Sequence, residues 1–203
     1  MKVKICGIRN EESAITASEA GADFLGFIFV PQSKRYIAPD RAKKIIAKIK
    51  GKIKVVGVFK NQLFAEVKTI INMLSLDMVQ LHGSEPPEFC RSLQAKVIKA
   101  FPVKPDFQIG LIEANIKRYI VDYYLLDREK QGKGAMINLN SAKLLAAKYP
   151  LFFAGGLTPE NIIKVVQIVQ PYAVDVTSGI ETDGAEDSHK IHKFIKNAKG
   201  AII

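Results

Sequence analysis

The prediction of the fold depends most on two stretches near the end of the chain, FFAGGLTPE at 152–160 and AVDVTSGIE at 173–181. Each begins with a short apolar run and soon reaches a glycine, as a buried strand does when it leads into a loop. In the first stretch, Thr158-Pro159-Glu160 predicts a helix start, with threonine as the N-cap and proline at the first helical position. The two stretches therefore predict consecutive connections from a strand to a helix.

The glycines of these two connections predict a phosphate site. Gly155 and Gly156 have no Cβ, so the backbone can approach a ligand closely there, and Ser178-Gly179 repeats the arrangement. Backbone N–H groups beside a glycine turn, with a helix dipole behind them, bind a phosphate. The alternative is that both are ordinary connections without a ligand. In a (β/α)8 barrel, the loops after the seventh and eighth strands are where phosphate binds.

The chain before these stretches alternates predicted strands with predicted helices, and glycine, asparagine and proline mark the boundaries. The six earlier strands are predicted at 3–6, 24–29, 55–59, 78–82, 97–101 and 120–127. Helices are predicted from Asn10 to Gly21, at 39–50, at 63–74, from 86 onward, before Tyr119, and at 141–148, 159–170 and 187–198.

Eight strand–helix units predict a parallel sheet closed into a (β/α)8 TIM barrel of the α/β class. The run FLGFIF at 24–29 is apolar throughout, as expected for a strand covered on both faces. The sequence predicts no antiparallel hairpin. No Ser- or Pro-rich linker divides the 203 residues, so a single domain, 1–203, is expected. A doubly wound open sheet is the alternative, but it usually contains fewer units.

Composition restricts the classes of function. No apolar run is long enough to span a bilayer and 1–6 is too short for a signal peptide, so a cytoplasmic location without a membrane partner is expected. The two cysteines, Cys6 and Cys90, predict neither a disulfide framework nor a zinc site. The net charge of +10 comes mostly from lysines interleaved with apolar positions of predicted helices, which is typical of a solvated face, so no nucleic-acid partner is expected.

Reactive side chains of a barrel enzyme lie at the carboxyl ends of its strands or in the loops that follow. That rule selects five residues with ionisable side chains, which are Cys6, Arg35, His82, Asp127 and Asp175. Each is a residue type that is costly to place at the packed end of a strand unless it has a partner or a task.

Cys6 and Asp127 are candidates for proton transfer. A thiolate at Cys6 can act as a base or nucleophile where positive charge or backbone N–H groups lower its pKa. Asp127 can act as a general acid where low-dielectric surroundings raise its pKa. The structural alternatives are a small buried hydrophobic side chain for Cys6, and an N-cap or an ion pair with Arg128 for Asp127.

The other three residues are candidates for substrate binding. The guanidinium of Arg35 has the fork geometry that clamps a carboxylate, and its alternative is a surface arginine beside Lys34. His82 has the alternative of a hydrogen bond to the backbone of a loop. Asp175 has the alternative of joining two adjacent strands.

Seven short motifs occur together between residues 4 and 181. They are KICGI at 4–8, GFIF at 26–29, SKRY at 33–36, QLHG at 80–83, LD at 126–127, AGGL at 154–157 and VDVTSGIE at 174–181. In this order they resemble the phosphoribosylanthranilate isomerase family of tryptophan biosynthesis, which rearranges an aminoaldose to an aminoketose. No single motif is specific, but the set of motifs is.

The resemblance implies a (β/α)8 barrel without cofactor or metal that acts on a small phosphosugar–anthranilate substrate, as a monomer or homodimer. It implies that Cys6 is the general base, Asp127 the general acid and Arg35 the ligand of the anthranilate carboxylate. The two glycine turns would hold the phosphate. A cysteine base must be partly ionised near neutral pH, so we expect positive charge beside Cys6, from Arg35 or from backbone N–H groups.

The chain departs from the family pattern in two places. The loop after the sixth strand contains 131–139, QGKGAMINL, in place of Gly-Gly-Thr/Ser-Gly followed by Phe-Asp/Asn-Trp, and SKR at 33–35 replaces Ser-Pro-Arg. Two alternative functions follow. One is the related isomerase of histidine biosynthesis, which is expected to use two aspartates where this chain has Cys6 in the first strand. The other is a barrel that binds phosphosugars without turnover.

Overall fold

The computed structural model describes residues 1–49, 51–129 and 136–201. Its main strands are β1 Lys2–Cys6, β2 Phe24–Ile28, β3 Lys54–Phe59, β4 Met78–Leu81, β5 Lys96–Val103, β6 Tyr123–Arg128, β7 Leu151–Phe153 and β8 Ala173–Val176. Its helices are α1 Glu11–Glu19, α2 Pro39–Ile49, α3 Phe64–Leu74, α4 Pro87–Ser92, α5 Ile109–Ile116, α6 Leu139–Ala146, α7 Ile162–Val169 and α8 Ser188–Gly200.

The eight main strands form one closed parallel barrel in sequence order, which confirms the predicted (β/α)8 fold. Strand β1 closes the barrel by pairing with β2 on one side, where Cys6 is opposite Gly26, and with β8 on the other, where Lys4 is opposite Asp175. Because the eight barrel strands are parallel, their carboxyl ends meet at one mouth of the barrel.

Two apolar layers stabilise this arrangement. One fills the barrel interior and consists of Phe24, Val56, Met78, Ile98, Ala100, Leu125, Phe152, Ala154 and Ala173. The other lies between the strands and the surrounding helices. In β1, Val3 and Ile5 belong to the outer layer, so the alternating positions Lys4 and Cys6 face the interior.

Aspartates fix the amino ends of three strands. Each immediately precedes an even-numbered strand and accepts a hydrogen bond from a backbone N–H of the strand before it. The bonds join Val3 N to Asp23 Oδ2 at 2.9 Å, Val55 N to Asp77 Oδ2 at 2.8 Å and Val97 N to Asp122 Oδ2 at 2.9 Å. They lie at the end of the barrel opposite the mouth, where specific contacts contribute to stability.

The prediction that the chain contains no antiparallel hairpin was wrong. Strands β9 Glu181–Thr182 and β10 Ala185–Glu186 form one after β8, joined by Asp183 and Gly184 at positive φ of 51° and 79°. Asp-Gly with two positive φ values is a favoured two-residue hairpin turn. Two-residue strands are too short to show an alternating pattern, so only the Asp-Gly pair indicated the turn.

The predicted start of the seventh helix was also wrong, because α7 begins at Ile162. The Thr158 hydroxyl accepts from Glu160 N, as an N-cap would, but Thr158 N donates to Asn161 Oδ1. The Asn161 amide also donates to the Gly156 carbonyl at 2.8 Å. These bonds fold 158–161 into a separate turn before the helix. Strand β6 likewise begins at Tyr123, because Asp122 forms the aspartate contact with Val97.

No helix in the described part of the chain is both long and apolar enough to cross a membrane. Most of the altered loop after β6, residues 130–135, lies outside the described residues. The rest of that loop leads into α6, where the Asn138 side chain caps the helix by accepting from Ser141 N at 3.0 Å.

Candidate active site

A buried ion pair lies below the mouth of the barrel, across the seam between β1 and β8. Lys4 Nζ donates to Asp175 Oδ1 at 3.0 Å and to Oδ2 at 2.9 Å. Lys4 is fully buried and Asp175 is 6% exposed. Burial lowers the pKa of the Lys4 ammonium, but the charges of Asp175 and Cys6 outweigh it, and the net pKa lies above its usual value. Lys4 is therefore a cation at neutral pH.

Cys6 lies beside this cation. A Cβ at residue 26 would be 2.6 Å from Cys6 Sγ and 3.1 Å from Lys4 Nζ, so Gly26 leaves the room that the thiol and the ammonium occupy together. Burial raises the pKa of the Cys6 thiol, the Lys4 charge lowers it, and the net pKa stays above its usual value. The positive charge expected near Cys6 thus comes from Lys4, a residue that the sequence analysis did not select.

Asp127 and His82 face each other across the mouth. Asp127 Oδ2 lies 3.4 Å from His82 Nε2, and Asp127 Oδ1 accepts from Arg128 N at 2.7 Å. His82 Nδ1 lies 3.1 Å from the Gln80 amide nitrogen, which can donate to Nδ1 when the ring proton is on Nε2, toward Asp127. His82 is therefore held by side chains of Gln80 and Asp127 rather than by the backbone of a loop.

Asp175 links the two halves of the site. Burial raises the pKa of its carboxyl group, Lys4 lowers it, the Asp127 charge raises it and His82 lowers it. The charges of Lys4, Asp127 and His82 therefore all act on the Asp175 carboxyl group. It joins adjacent strands as its structural alternative expected, and it does so through the ammonium of Lys4.

Arg35 reaches the mouth from the loop after β2 and is held by Glu181. Its Nε and Nη2 donate to the Glu181 carboxylate at 2.6 and 2.7 Å. This contact raises the pKa of the guanidinium. The Arg35 side chain passes over Gly7, where a Cβ would lie 2.9 Å from Arg35 Cδ and where φ is +84°. Arg35 is thus a fixed cation next to the Cys6 segment, and the Nη1–Nη2 edge of its fork has the geometry to meet another carboxylate.

The two predicted glycine turns are in contact with each other. Gly155 and Gly156 have positive φ values of 92° and 84°, which side chains rarely adopt. A Cβ at Gly179 would overlap the carbonyl oxygen of Leu157, so the loop after β8 packs directly on the loop after β7. Ser178 is exposed and begins a short 3-10 turn, Ser178–Ile180, at this contact.

A second buried ion pair supports the loop that carries His82. Lys99 Nζ contacts Glu85 Oε2 at 2.9 Å and donates to the carbonyl of Gly83 at 2.6 Å. Glu85 in turn accepts from the backbone N–H groups of Asn61 and Gly83. The sequence analysis missed both residues. A lysine inside an apolar strand is costly without a partner, and this was the available signal for Lys99 and for Lys4 alike.

The five selected residues and the two glycine turns therefore lie at one end of the barrel. In the described ranges, no group of three His, Cys, Asp or Glu side chains is arranged to hold a metal ion. What the site offers is a thiol beside an ammonium, a carboxyl group beside a histidine, a fixed guanidinium and two glycine turns. This set can transfer protons and bind anions.

Comparison with known proteins places the chain in a family. A profile described as N-(5'phosphoribosyl)anthranilate (PRA) isomerase matches residues 3–197. The N-(5'-phosphoribosyl)anthranilate isomerase of Geobacter sulfurreducens is 44% identical over 98% of this chain and 99% of its own. That of Listeria monocytogenes serotype 4b is 40% identical over 98% and 99%.

Solved structures agree with the sequence relatives. Phosphoribosyl anthranilate isomerase from Thermotoga maritima superposes with a TM-score of 0.89 at 38% identity, over 98% of this chain and 99% of its own. The corresponding enzyme from Thermus thermophilus gives 0.87 at 35% identity over the same shares. The chain belongs to the phosphoribosylanthranilate isomerase family.

Proposed function

We propose that this isomerase converts N-(5-phosphoribosyl)anthranilate to 1-(2-carboxyphenylamino)-1-deoxyribulose 5-phosphate with Cys6 as general base and Asp127 as general acid. The observation that carries the proposal is the thiol of Cys6 beside the Lys4 ammonium, in a barrel mouth that also holds a carboxyl group. A solved relative, 38% identical, is described as a complex with the reduced form of this product.

Asp127 acts first. Its carboxyl proton is transferred to the ring oxygen of the ribose as the bond between that oxygen and C1′ breaks. The lone pair of the anthranilate nitrogen forms the C1′=N bond, which gives an open-chain iminium ion. His82 Nε2, 3.4 Å from the Asp127 carboxylate, orients the group and stabilises the anion that the transfer leaves.

Cys6 acts second. The iminium ion acidifies the hydrogen on C2′, and the thiolate removes that proton while the bonding electrons form C1′=C2′ and neutralise the nitrogen. The resulting enolamine takes up a proton at C1′ and loses the proton of its C2′ hydroxyl, which gives the ketone. Because the pKa of the free thiol is raised by burial, the thiolate depends on nearby cations, which are the Lys4 ammonium and the iminium ion itself.

Charged groups at both ends of the substrate hold it between the acid and the base. Arg35 binds the anthranilate carboxylate while Glu181 keeps the guanidinium in place. The turns at Gly155-Gly156 and Ser178-Gly179 bind the phosphate. Asp175 has both carboxylate oxygens on Lys4, so we assign it to holding the ammonium beside Cys6. We assign His82, which lies beside Asp127 at the mouth, to substrate binding.

The assay uses the labile substrate, formed in situ from anthranilate and phosphoribosyl pyrophosphate, and follows its loss by fluorescence. We expect wild-type turnover, and at least ~10²-fold lower kcat for Cys6→Ala and for Asp127→Asn with substrate binding largely kept. Cys90→Ala, which removes the other cysteine, is the control and keeps its activity. A Cys6→Ala variant with near wild-type turnover contradicts the mechanism, and an inactive wild type supports a barrel that only binds phosphosugars.

We further propose that the enzyme works in the cytoplasm on its small-molecule substrate, as a monomer or a homodimer. A solved structure from Thermotoga maritima that is 36% identical is described as generated monomers of a dimeric isomerase, so both states are represented there. Light scattering coupled to gel filtration distinguishes the two states by mass.

A further inference from the structure

We propose that Arg128 is a phosphate ligand of this enzyme, which adds a guanidinium to the backbone N–H groups of the two glycine turns. The inference rests on the proposed position of the substrate phosphate at these turns. It assigns a side-chain ligand to a subsite for which the sequence predicted only backbone donors.

The path of the Arg128 side chain carries the inference. Arg128 is the last residue of β6, next to Asp127. A Cβ at Gly155 would lie 2.7 Å from Arg128 Cγ, and a Cβ at Gly156 would lie 2.9 Å from Cζ, 3.0 Å from Nη2 and 3.2 Å from Nη1. The side chain therefore runs along the turn, and its guanidinium covers Gly156. Both glycines leave the room that it occupies.

The position of the guanidinium matches the expected position of the anion. Gly156 immediately precedes Leu157, whose carbonyl oxygen packs on Gly179, so the guanidinium lies next to the contact between the two turns. Backbone N–H groups from both turns and the Arg128 guanidinium therefore surround the proposed phosphate position. A phosphate monoester presents several oxygens, and the planar fork of arginine can donate to two of them at once.

The positive charge of the Arg128 guanidinium also reduces repulsion between Asp127 and the bound phosphate. Asp127 Oδ1 would lie 3.1 Å from a Cβ at Gly155, so the proposed acid is next to the phosphate turn. Once Asp127 has given up its proton, its carboxylate and the phosphate are like charges in one site and repel each other. A phosphate dianion here needs a cation close to both groups, and Arg128 follows Asp127 directly in the chain.

The experiment compares Arg128→Met, which removes the charge, with Arg128→Lys, which keeps the charge and loses the fork. Arg91→Met is the control, because Arg91 is an exposed arginine of α4 whose partner among the described residues is Glu88 of the same helix. For each folded variant, KM and kcat for the substrate are measured, together with Ki for inorganic phosphate at constant ionic strength.

We expect Arg128→Met to raise KM and the phosphate Ki together, by ~10-fold or more, as for the loss of a hydrogen bond to a charged group. We expect kcat to change much less, because the contact is present in ground state and transition state alike. Arg128→Lys should lie between Arg128→Met and the wild type, and Arg91→Met should match the wild type.

Unchanged or tighter binding of substrate and phosphate by Arg128→Met overturns the inference. Loss of kcat without a change in KM also overturns it, because that result assigns Arg128 to Asp127 rather than to the phosphate. These outcomes are separate from the proposed function. A wild type that turns over while Arg128→Met binds normally refutes only the role of Arg128, and an inactive wild type whose phosphate affinity depends on Arg128 refutes only the proposed catalysis.

Discussion

At the scale of single residues, the environment of Cys6 makes a prediction about pH. Burial holds the pKa of the thiol above its usual value, and the Lys4 ammonium only partly offsets this. The thiolate is the base, and it forms as pH rises through that pKa. We therefore expect kcat/KM to rise with pH above neutrality, since kcat/KM reports the ionisation of the free enzyme.

The measurement is the pH profile of kcat/KM for the wild type and for Cys90→Ala. Both cysteines are buried, but Cys90 lies in α4 and belongs to the apolar layer between the strands and the helices, so the two profiles should coincide. A wild-type profile that is flat from neutral to alkaline pH would remove Cys6 from the role of a base that ionises in this range.

Arg35 makes a prediction about binding. If it clamps the anthranilate carboxylate, Arg35→Met should raise KM more than it lowers kcat, because the contact is present in ground state and transition state alike. Glu181→Gln should act in the same direction with a smaller effect, since it weakens the hold on the guanidinium but leaves the guanidinium in place. Steady-state kinetics of both variants provide the measurement.

Arg41→Met, a change of an exposed arginine in α2, is the matched control for Arg35→Met. The opposite pattern in Arg35→Met, a loss of kcat at constant KM, would indicate that Arg35 acts on the thiol or on the acid.

At the scale of elements, the ion pair between β1 and β8 makes a prediction about stability. Lys4→Met leaves the Asp175 carboxylate buried without its partner, so we expect the free energy of unfolding to fall by about 3–5 kcal/mol. Replacing both partners, in Lys4→Met/Asp175→Leu, removes the unpaired charge and should recover much of that loss. Urea unfolding followed by circular dichroism provides the comparison.

The single and double variants also test the role of the ion pair between Lys4 and Asp175 in catalysis. We expect the double variant to be folded and still poorly active, because Cys6 then lacks the ammonium that stabilises its thiolate. A stable double variant with wild-type kcat would restrict Lys4 and Asp175 to a structural role.

The turn between β7 and α7 makes a prediction about the phosphate. Gly156→Val forces a β-branched residue to a φ of +84° and into the guanidinium of Arg128, so both the turn and the phosphate site should be disturbed. Unlike Arg128→Met, this variant also distorts the backbone that positions the sugar between Cys6 and Asp127, so kcat and KM should both worsen. Inorganic phosphate should raise Tm of the wild type by mass action and that of the variant much less.

Circular dichroism first establishes that Gly156→Val is folded. Gly110→Val is a control of the same type, since a Cβ at Gly110 meets no atom within 4 Å. Equal protection by phosphate of the wild type and a folded Gly156→Val variant would place the phosphate elsewhere on the barrel.

At the scale of the whole molecule, closure of the barrel brings distant parts of the chain to one mouth. Lys4 and Asp175 are 171 residues apart in sequence, and Arg35 and Glu181 are 146 apart. Each pair joins the first quarter of the chain to the last. The site therefore exists only when β1 and β8 have paired, and local structure alone cannot form it.

The architecture, and the end of the barrel at which chemistry is expected, were predictable from local sequence patterns. Apolar runs and helical periods report whether a residue is buried and how the chain repeats, which are local properties, so eight strand–helix units were predictable. The rule on carboxyl ends then selected Cys6, Asp127 and the glycine turns from their positions in the predicted strands. Element ends were predicted less well, because side chains such as Asp122 and Asn161 redirect the backbone there.

The pairing of charged side chains, in contrast, depends on the tertiary structure. Lys4 appeared as one lysine in an apolar strand, and its pairing with Asp175 and its place beside Cys6 depend on the register of β1 against β8 and β2. The same is true of Glu181 against Arg35 and of Arg128 over Gly156. A sequence pattern predicts whether a side chain points into the barrel or toward the helices. The distance between two side chains on different strands is set by the twist and closure of the whole barrel.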